Sequence, residues 1–371
     1  MRSRKREIEA AIENGIQFLS KEQLESGEFK FFVSNKFFFS PMEEIKDEDW
    51  LYDQIVFGTS LVGNCLLCLK HRNNVLGMLN RALGFLESQK EEPGVWRWHG
   101  PKDRDPAAHL AWPPDLDDTA YALMFYEGMG EKTPSSLLDF LSEYKNTDGL
   151  FKTYMIELWW PDTPPEKRPL NSMIALRRML LEMDDYSYAA TKTDEELLLN
   201  NFENDINEAV NANVLSLFTM SGLQLPEVED FLNNIISSGK YLNGSSYYPS
   251  PMAFLYFLSR AHKVGASRLN KSLPIITDYL LSPEKYHHGL LSNLEMAMSI
   301  TSIIRFDLES RHVENRISLL LEHVQSDGGW KNERIVWPNV KDIPTPNYGS
   351  RSVSTAFCLE ALQHYYETIK T

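Results

Sequence analysis

Along most of the chain, apolar residues recur every three to four positions, and almost nowhere do they alternate in twos for long enough to make a strand. The pattern predicts helices at about 4–20, 53–71, 74–89, 116–129, 134–145, 170–183, 205–220, 226–238, 250–263, 270–281, 290–305, 313–324 and 351–368. Helix breakers fall between these stretches: Gly130, Pro134, Pro169, Gly222, Pro226, Gly244, Pro249, Gly265, Pro283 and Gly289. The expected class is all-α.

A short motif repeats on this helical background. Several helices end in Gln or Asn, followed by a glycine and then an aromatic. The instances are Gln23 to Gly27 and Phe29, Gln89 to Gly94 and Trp96, Asn146 to Gly149 and Phe151, and Gln325 to Gly328, Gly329 and Trp330. Glycine lets the chain turn sharply after a helix, the aromatic can lie on the next unit, and the amide can tie helix end to backbone. A repeat of this period with one helical hairpin per unit implies stacked units burying a shared face. Running from residue 23 to residue 330, the series suits a closed ring of six hairpins, an (α/α)6 barrel, as a single domain over residues 1–371. In such a ring the inner helices run in one direction, so their N-termini share a rim. The segments about 24–52, 90–115, 146–169 and 331–350, rich in Trp, Pro and charge, crowd that rim as long loops and mark it as the functional end.

Charge and composition narrow the partners. The formal net charge of −15 argues against nucleic acid, whose phosphates require a basic face. Three cysteines, Cys65, Cys68 and Cys358, are too few and too odd in number for a disulfide framework, and imply a reducing compartment. Cys65 and Cys68 read as buried helix residues rather than metal ligands. With no secretory signal at the N-terminus and no transmembrane-length apolar run, a cytoplasmic location is expected.

The chemistry concentrates at the start of one inner helix, after Trp112-Pro113-Pro114, where Asp115, Asp117 and Asp118 fall within four residues. Aligning Thr119-Ala120 with Thr355-Ala356 of the last helix sets Asp115 opposite Arg351 and Asp117 opposite Val353, so the repeat scaffold does not require the acids. Helix capping and the helix dipole account for one or two of them. Three after a rigid apolar approach suggest a carboxyl kept protonated by crowding and burial, a strong acid for an alkene or an epoxide.

This stretch, Trp112-Pro-Pro-Asp115-Leu-Asp117-Asp118-Thr119-Ala120, resembles the DxDDTA motif of class II terpene cyclases, the superfamily that includes squalene–hopene cyclases and class II diterpene cyclases. Gln325-Ser-Asp-Gly-Gly-Trp330 and the weaker repeats resemble its QW motifs. The resemblance implies a barrel of helical hairpins, Asp117 as the general acid, and Asp115 and Asp118 as flanking carboxylates. Familiar members carry two or three helical domains, whereas this chain reads as one barrel. Either the rim loops supply the missing wall, or the pocket is more open, or a partner covers it, a second copy of the chain or a lid-providing protein.

The expected function is therefore protonation-initiated cyclisation of a linear polyprenyl substrate, a prenyl diphosphate or a prenylated meroterpenoid, with ring closures down an aromatic-lined lumen. No cofactor is required for the chemistry; Mg2+ would accompany a diphosphate. Aromatic faces stabilise cations, which makes Trp50, Trp112, Tyr121, Trp159, Trp160, Tyr248, Trp337 and Tyr348 candidate substrate-binding residues. His99 and His109 precede the acids and could hydrogen-bond them, while Arg97, Lys102 and Arg104 could hold a diphosphate. Asn211 and Asn213 form a polar pair in an apolar inner helix, as paired core amides or as lumen lining. Two other readings use the same scaffold: a non-catalytic α/α toroid that binds a partner or an apolar ligand, and a zinc-dependent enzyme like the protein prenyltransferases. No Asp/Cys/His set supports the latter, and no DDxxD metal motif is present.

Overall fold

The computed structural model describes residues 2–38, 45–99, 112–158, 204–286, 291–309, 313–337 and 345–369. Among the described residues the inner helices are α2 (Val56–Leu66), α4 (Leu116–Met129), α6 (Glu208–Met220), α8 (Pro251–Val264), α10 (Asn293–Arg305) and α12 (Arg351–Thr368). Each packs on the next, and α12 returns to α2, so the ring closes. Their sequences show why they are inside. Every residue of α2 is buried, as is α4 from Leu116 to Tyr126; a helix apolar on all sides has no face to give to water.

The outer helices α1 (Arg2–Glu22), α3 (Asn73–Gln89), α5 (Ser135–Ser142), α7 (Pro226–Ser237), α9 (Leu273–Leu281) and α11 (Glu314–Glu322) alternate with them along the chain. In α3, α5, α7, α9 and α11 only some positions are buried, as in Val75, Met78, Leu79, Ala82, Phe85 and Leu86 of α3. The expected helices coincide with these elements, except for 170–183, which lies outside the described residues.

The repeat motif is the fastening between hairpins. Trp96 donates its backbone N–H to Thr119 Oγ1 (3.1 Å) and its indole N–H to Leu86 O (2.8 Å). Trp330 does the same to Thr355 Oγ1 (3.1 Å) and Leu320 O (2.9 Å). Phe29 donates to Thr59 Oγ1 (3.0 Å), and Phe151 to Asn211 Oδ1 (3.0 Å). Each aromatic thus docks its backbone on one polar side chain in the first turns of an inner helix. The preceding glycines, Gly27 and Gly328, hold φ of 92°, and a Cβ on Gly328 would meet Asn14 O at 2.6 Å. Gln23 ties the first turn together, donating to Gly27 O and Met78 O, both at 2.9 Å.

Two of the expected rim loops are not loops. A four-stranded antiparallel sheet, ordered β2-β1-β4-β3, is built from β1 (Phe31–Phe38), β2 (Trp50–Asp53), β3 (Arg334–Val336) and β4 (Thr345–Gly349). Short strands rich in aromatics, with bulges in both the β1–β4 and β3–β4 ladders, carry no clean period of two. Their pairing also joins opposite ends of the chain, Phe32 to Gly349, so no local window could reveal it.

Candidate active site

Every inner helix start but one is capped by its own side chain: Asp115 for α4, Asn207 for α6, Ser250 for α8, Ser292 for α10 and Ser350 for α12. At α2 the first N–H, of Val56, is taken by Trp98 O at 2.9 Å. These starts share one rim, and a pocket opens there. It is lined by Trp98, Trp112, Asp115, Asp117, Asp118, Thr153, Tyr154, Val210, Tyr247, Tyr248, Val336 and Tyr348, and holds about 520 Å³ of space free of protein atoms, part of it open to solvent. Val336 and Tyr348 come from the sheet, which covers the rim.

The three acids have different surroundings. Asp115 is the N-cap of α4, and its Oδ1 accepts the Asp118 N–H at 2.7 Å. Asp117 reaches two partners on other inner segments. Its Oδ1 accepts from Asn213 Nδ2 at 2.7 Å, and its Oδ2 accepts from the Tyr248 hydroxyl. Asp118 leaves its buried Oδ2 unpartnered. All three are at least 92% buried, with relative exposures of 7%, 8% and 2%, so water does little to stabilise their charge.

Burial therefore pushes all three carboxyls up. Asp117 rises to about 6, with the Tyr248 and Asn213 hydrogen bonds pulling it part of the way back. Asp115 rises to about 8 through burial and the charge of Asp117. Asp118 is held well above the usual range by burial and by Asp115 and Asp117. Crowded carboxyls in a dry site cannot all ionise, so the cluster keeps protons near neutral pH. Within it Asp117 is a stronger acid than Asp115, because the charge of Asp117 raises Asp115 further while Tyr248 and Asn213 donate to the Asp117 carboxylate.

The other expected site residues divide. Trp112 lines the pocket, stacked on Tyr154 with ring centroids 6.4 Å apart, and Tyr348 lines it edge-on to Trp98 at 5.1 Å. Tyr248 lines it and bonds Asp117; Asn213 contacts Asp117 from α6, whereas Asn211 fastens the Phe151 turn. Five assignments need correction. Tyr121 sits one turn below Asp117 and outside the pocket lining, its ring face already taken by the Arg260 guanidinium at 4.8 Å. Arg97 is 1% exposed, donates to Glu91 Oε2 (2.8 Å) and Trp112 O (3.1 Å), and braces the loop instead of meeting a diphosphate. Trp50 lies in β2 opposite Ser34, and Trp337 donates its backbone N–H to Tyr247 O; neither lines the pocket. His99 faces Asp53 at 3.4 Å rather than the acids. His109, Trp159, Trp160, Lys102 and Arg104 lie outside the described residues.

Among the described residues, aromatic side chains pack against one another in the ring beneath the pocket. Phe57, Tyr121 and Phe257 pack edge-on, with centroids 5.2 Å and 5.8 Å apart, and Tyr256 packs on Phe357 at 4.9 Å. Below them Arg305 pairs with Glu360 at 2.5 Å, and Tyr256 donates to Glu360 at 2.6 Å. The pocket lies above these contacts, at the rim and beside the sheet residues Val336 and Tyr348. The lining residues Trp98, Thr153, Tyr154, Val210, Tyr247 and Val336 were not anticipated. For two the sequence holds a faint signal: Trp98 follows Trp96 by two positions and Tyr154 follows Phe151 by three, on the segments leading from a repeat aromatic to the rim.

The fold is similar to that of solved type II terpene cyclases. A structure of the type II terpene cyclase MstE from Scytonema, in complex with its substrate geranylgeranyl dihydroxybenzoate, matches with a TM-score of 0.65 at 14% identity, over 99% of both chains. MstE without ligand matches with a TM-score of 0.62 at 15% identity, over 96% of this chain and 98% of that one. A protein from Actinoplanes matches with a TM-score of 0.65 at 14% identity, over 96% of this chain and 99% of that one. At these identities the likeness establishes the fold. No protein-family model matches the sequence, and no curated protein does. Among the described residues no helix is long and apolar enough to cross a membrane.

Proposed function

We propose that the protein is a class II terpene cyclase in which Asp117 protonates the terminal double bond, or an epoxide, of a linear polyprenyl chain. One observation carries this reading. A buried carboxyl with two hydrogen-bond donors and a raised pKa lines a pocket walled by Trp98, Trp112, Tyr154, Tyr247, Tyr248 and Tyr348. The arrangement suits both halves of the reaction. Asn213 and Tyr248 stabilise the carboxylate left when the proton departs, and the aromatic faces stabilise the carbocation that forms. Loss of a proton from the final cation, or capture of water, ends the sequence.

Substrate class follows from the same pocket and from the shared fold. MstE is described with geranylgeranyl dihydroxybenzoate as substrate and merosterolic acid A as product. A prenylated aromatic acid of that kind, or a prenyl diphosphate, is the proposed substrate here. The proposed chemistry needs no cofactor, and a diphosphate substrate would bring Mg2+ with it.

The test is incubation of the purified protein in deuterium oxide with geranylgeranyl dihydroxybenzoate and with prenyl diphosphates of several lengths. A cyclic product carrying one deuterium at the former chain terminus is expected. Absence of any cyclic product from all of these, or full activity in Asp117→Asn, overturns the reading.

A further inference from the structure

We propose that Asp205, Tyr247 and Tyr154 form a proton-return line that recharges the acid cluster between turnovers; this rests on the cyclase reading above. The need for such a line is stoichiometric. Each cycle takes one proton from Asp117, and the proton released at the end leaves from a different carbon of the product cation. Asp117 is 8% exposed, so its proton must come back through the protein or through the emptied pocket.

The three residues connect the pocket to the outside. Tyr247 donates its hydroxyl proton to Asp205 Oδ2 at 3.0 Å. The hydroxyls of Tyr247 and Tyr154 are themselves hydrogen-bonded. Both tyrosines line the pocket together with Asp115, Asp117 and Asp118. Asp205 is only half-buried and does not line it. The line therefore runs from a half-buried carboxyl outside the pocket to two tyrosines that line it with the acids.

Its geometry is held rigidly. The Tyr154 and Tyr247 rings meet at 90° with centroids 6.1 Å apart, and Tyr154 is stacked on Trp112. Main-chain bonds register the tyrosine against the acids: Leu116 N donates to Thr153 O at 2.8 Å, and Met155 N to Pro114 O at 2.9 Å. Thr153 N in turn donates to Asp205 O at 2.9 Å. One short segment, residues 153–155, thus ties the start of α4 to Asp205.

Asp205 has surroundings suited to accepting a proton from water. Burial raises its carboxyl above the ordinary value, against hydrogen bonds from Thr153 and Tyr247. Glu208 adds a second carboxyl nearby, itself raised by burial and faced by Lys240. The transfer conserves protons. Asp205 takes one from solvent and passes it to the Tyr247 oxygen as Tyr247 hands its own to Tyr154. Tyr154 then releases its own through one water in the emptied pocket to the carboxyl cluster. No tyrosinate accumulates, because every hop is concerted with the next; both phenols are raised well above their ordinary range by burial.

The discriminating experiment compares a single turnover with many, using geranylgeranyl dihydroxybenzoate and rapid quenching. For Asp205→Asn, the first turnover should keep the wild-type rate within about twofold, because the acid is already loaded. Steady-state kcat should fall about tenfold or more at unchanged KM. Asp205→Glu, or added acetic acid with Asp205→Asn, should restore it. Equal loss in both regimes, or steady-state turnover of Asp205→Asn within about twofold of wild type, overturns the line. Wild-type protein that makes no cyclic product at all defeats the cyclase reading instead, so the two failures are separable.

Discussion

Asn213 and Asp117 are 96 positions apart in the chain and 2.7 Å apart in the fold, amide donor to carboxylate acceptor. The contact crosses from the second turn of α6 to the first turn of α4, one inner helix to its neighbour. It is the kind of bond that makes a buried acid stronger, because it favours the form the acid becomes. Replacing Asn213 by Ala removes that donor. The Asp117 carboxyl, now at about 6, should rise further. On the proposed mechanism activity requires the protonated form, so it should be lost as pH climbs through this value. In Asn213→Ala the alkaline limb of the pH–rate profile should therefore move to higher pH while the maximal rate drops about tenfold, the scale of one hydrogen bond to a charged group. A profile that keeps its position would show that Asn213 does not tune the acid.

Asp117→Asn keeps the shape of the side chain and removes the transferable proton. Cyclisation should fall about 10³-fold or more, as expected on losing a general acid, with the fold intact by circular dichroism. The same variant carries a stability signature. The folded carboxyl sits above its unfolded value of 3.8, at about 6, so its contribution is fully present below the unfolded value and is lost as pH rises through the folded one. The variant has no such loss. Urea unfolding should show its stability relative to wild type improving by up to roughly 3 kcal/mol between acidic and mildly alkaline pH. A difference independent of pH would mean that Asp117 is not held protonated.

Glu360 behaves in the opposite sense. Burial alone would raise it, but Arg305, His364 and Arg260 hold it down at about 2. A depressed carboxyl contributes stability above its unfolded pKa and loses it as pH falls through the folded one. Glu360→Gln leaves Arg305 without its buried partner and should cost about 3–5 kcal/mol at neutral pH, the usual scale for breaking a buried pair. The deficit should shrink between about pH 4.5 and pH 2, as the wild-type carboxyl itself becomes neutral. Denaturant melts across that range measure it.

The repeat fastenings can be separated from the chemistry. Thr355→Val removes the acceptor for the Trp330 N–H, 3.1 Å away in a fully buried turn, and should cost about 1–3 kcal/mol. Turnover below the melting range should be unaffected, because no residue of α12 lines the pocket. Thr119→Val removes the matching bond to Trp96 at a comparable cost. Because Thr119 follows Asp118, a loss of activity is expected there as well. Equal stability of both variants and wild type would show that the fastening role is wrong.

The helical ring was legible because it is written locally. Apolar spacing at three and four, the breakers between, and the repeated glycine–aromatic turn each sit within a few residues. The closure from α12 back to α2 follows from hairpins of similar size repeated in series. The acid cluster was legible for a related reason: three carboxyls in four positions contradict what a repeat of this kind otherwise carries, and Val353 fills the equivalent place of Asp117 in the last helix. Arg97 was misread because a cation in a polar loop looks solvated until its partners, Glu91 and the Trp112 carbonyl, are seen around it.

Sequence by itself thus determined the helices, their fastenings and the location of the acids, because each depends on neighbours in the chain. Only the tertiary structure decided which carboxyl is best served by donors, which aromatics wall the pocket, and that a four-stranded sheet roofs it. Those outcomes depend on contacts such as Tyr248 with Asp117 and Phe32 with Gly349, where burial and hydrogen bonding join segments that share no local pattern.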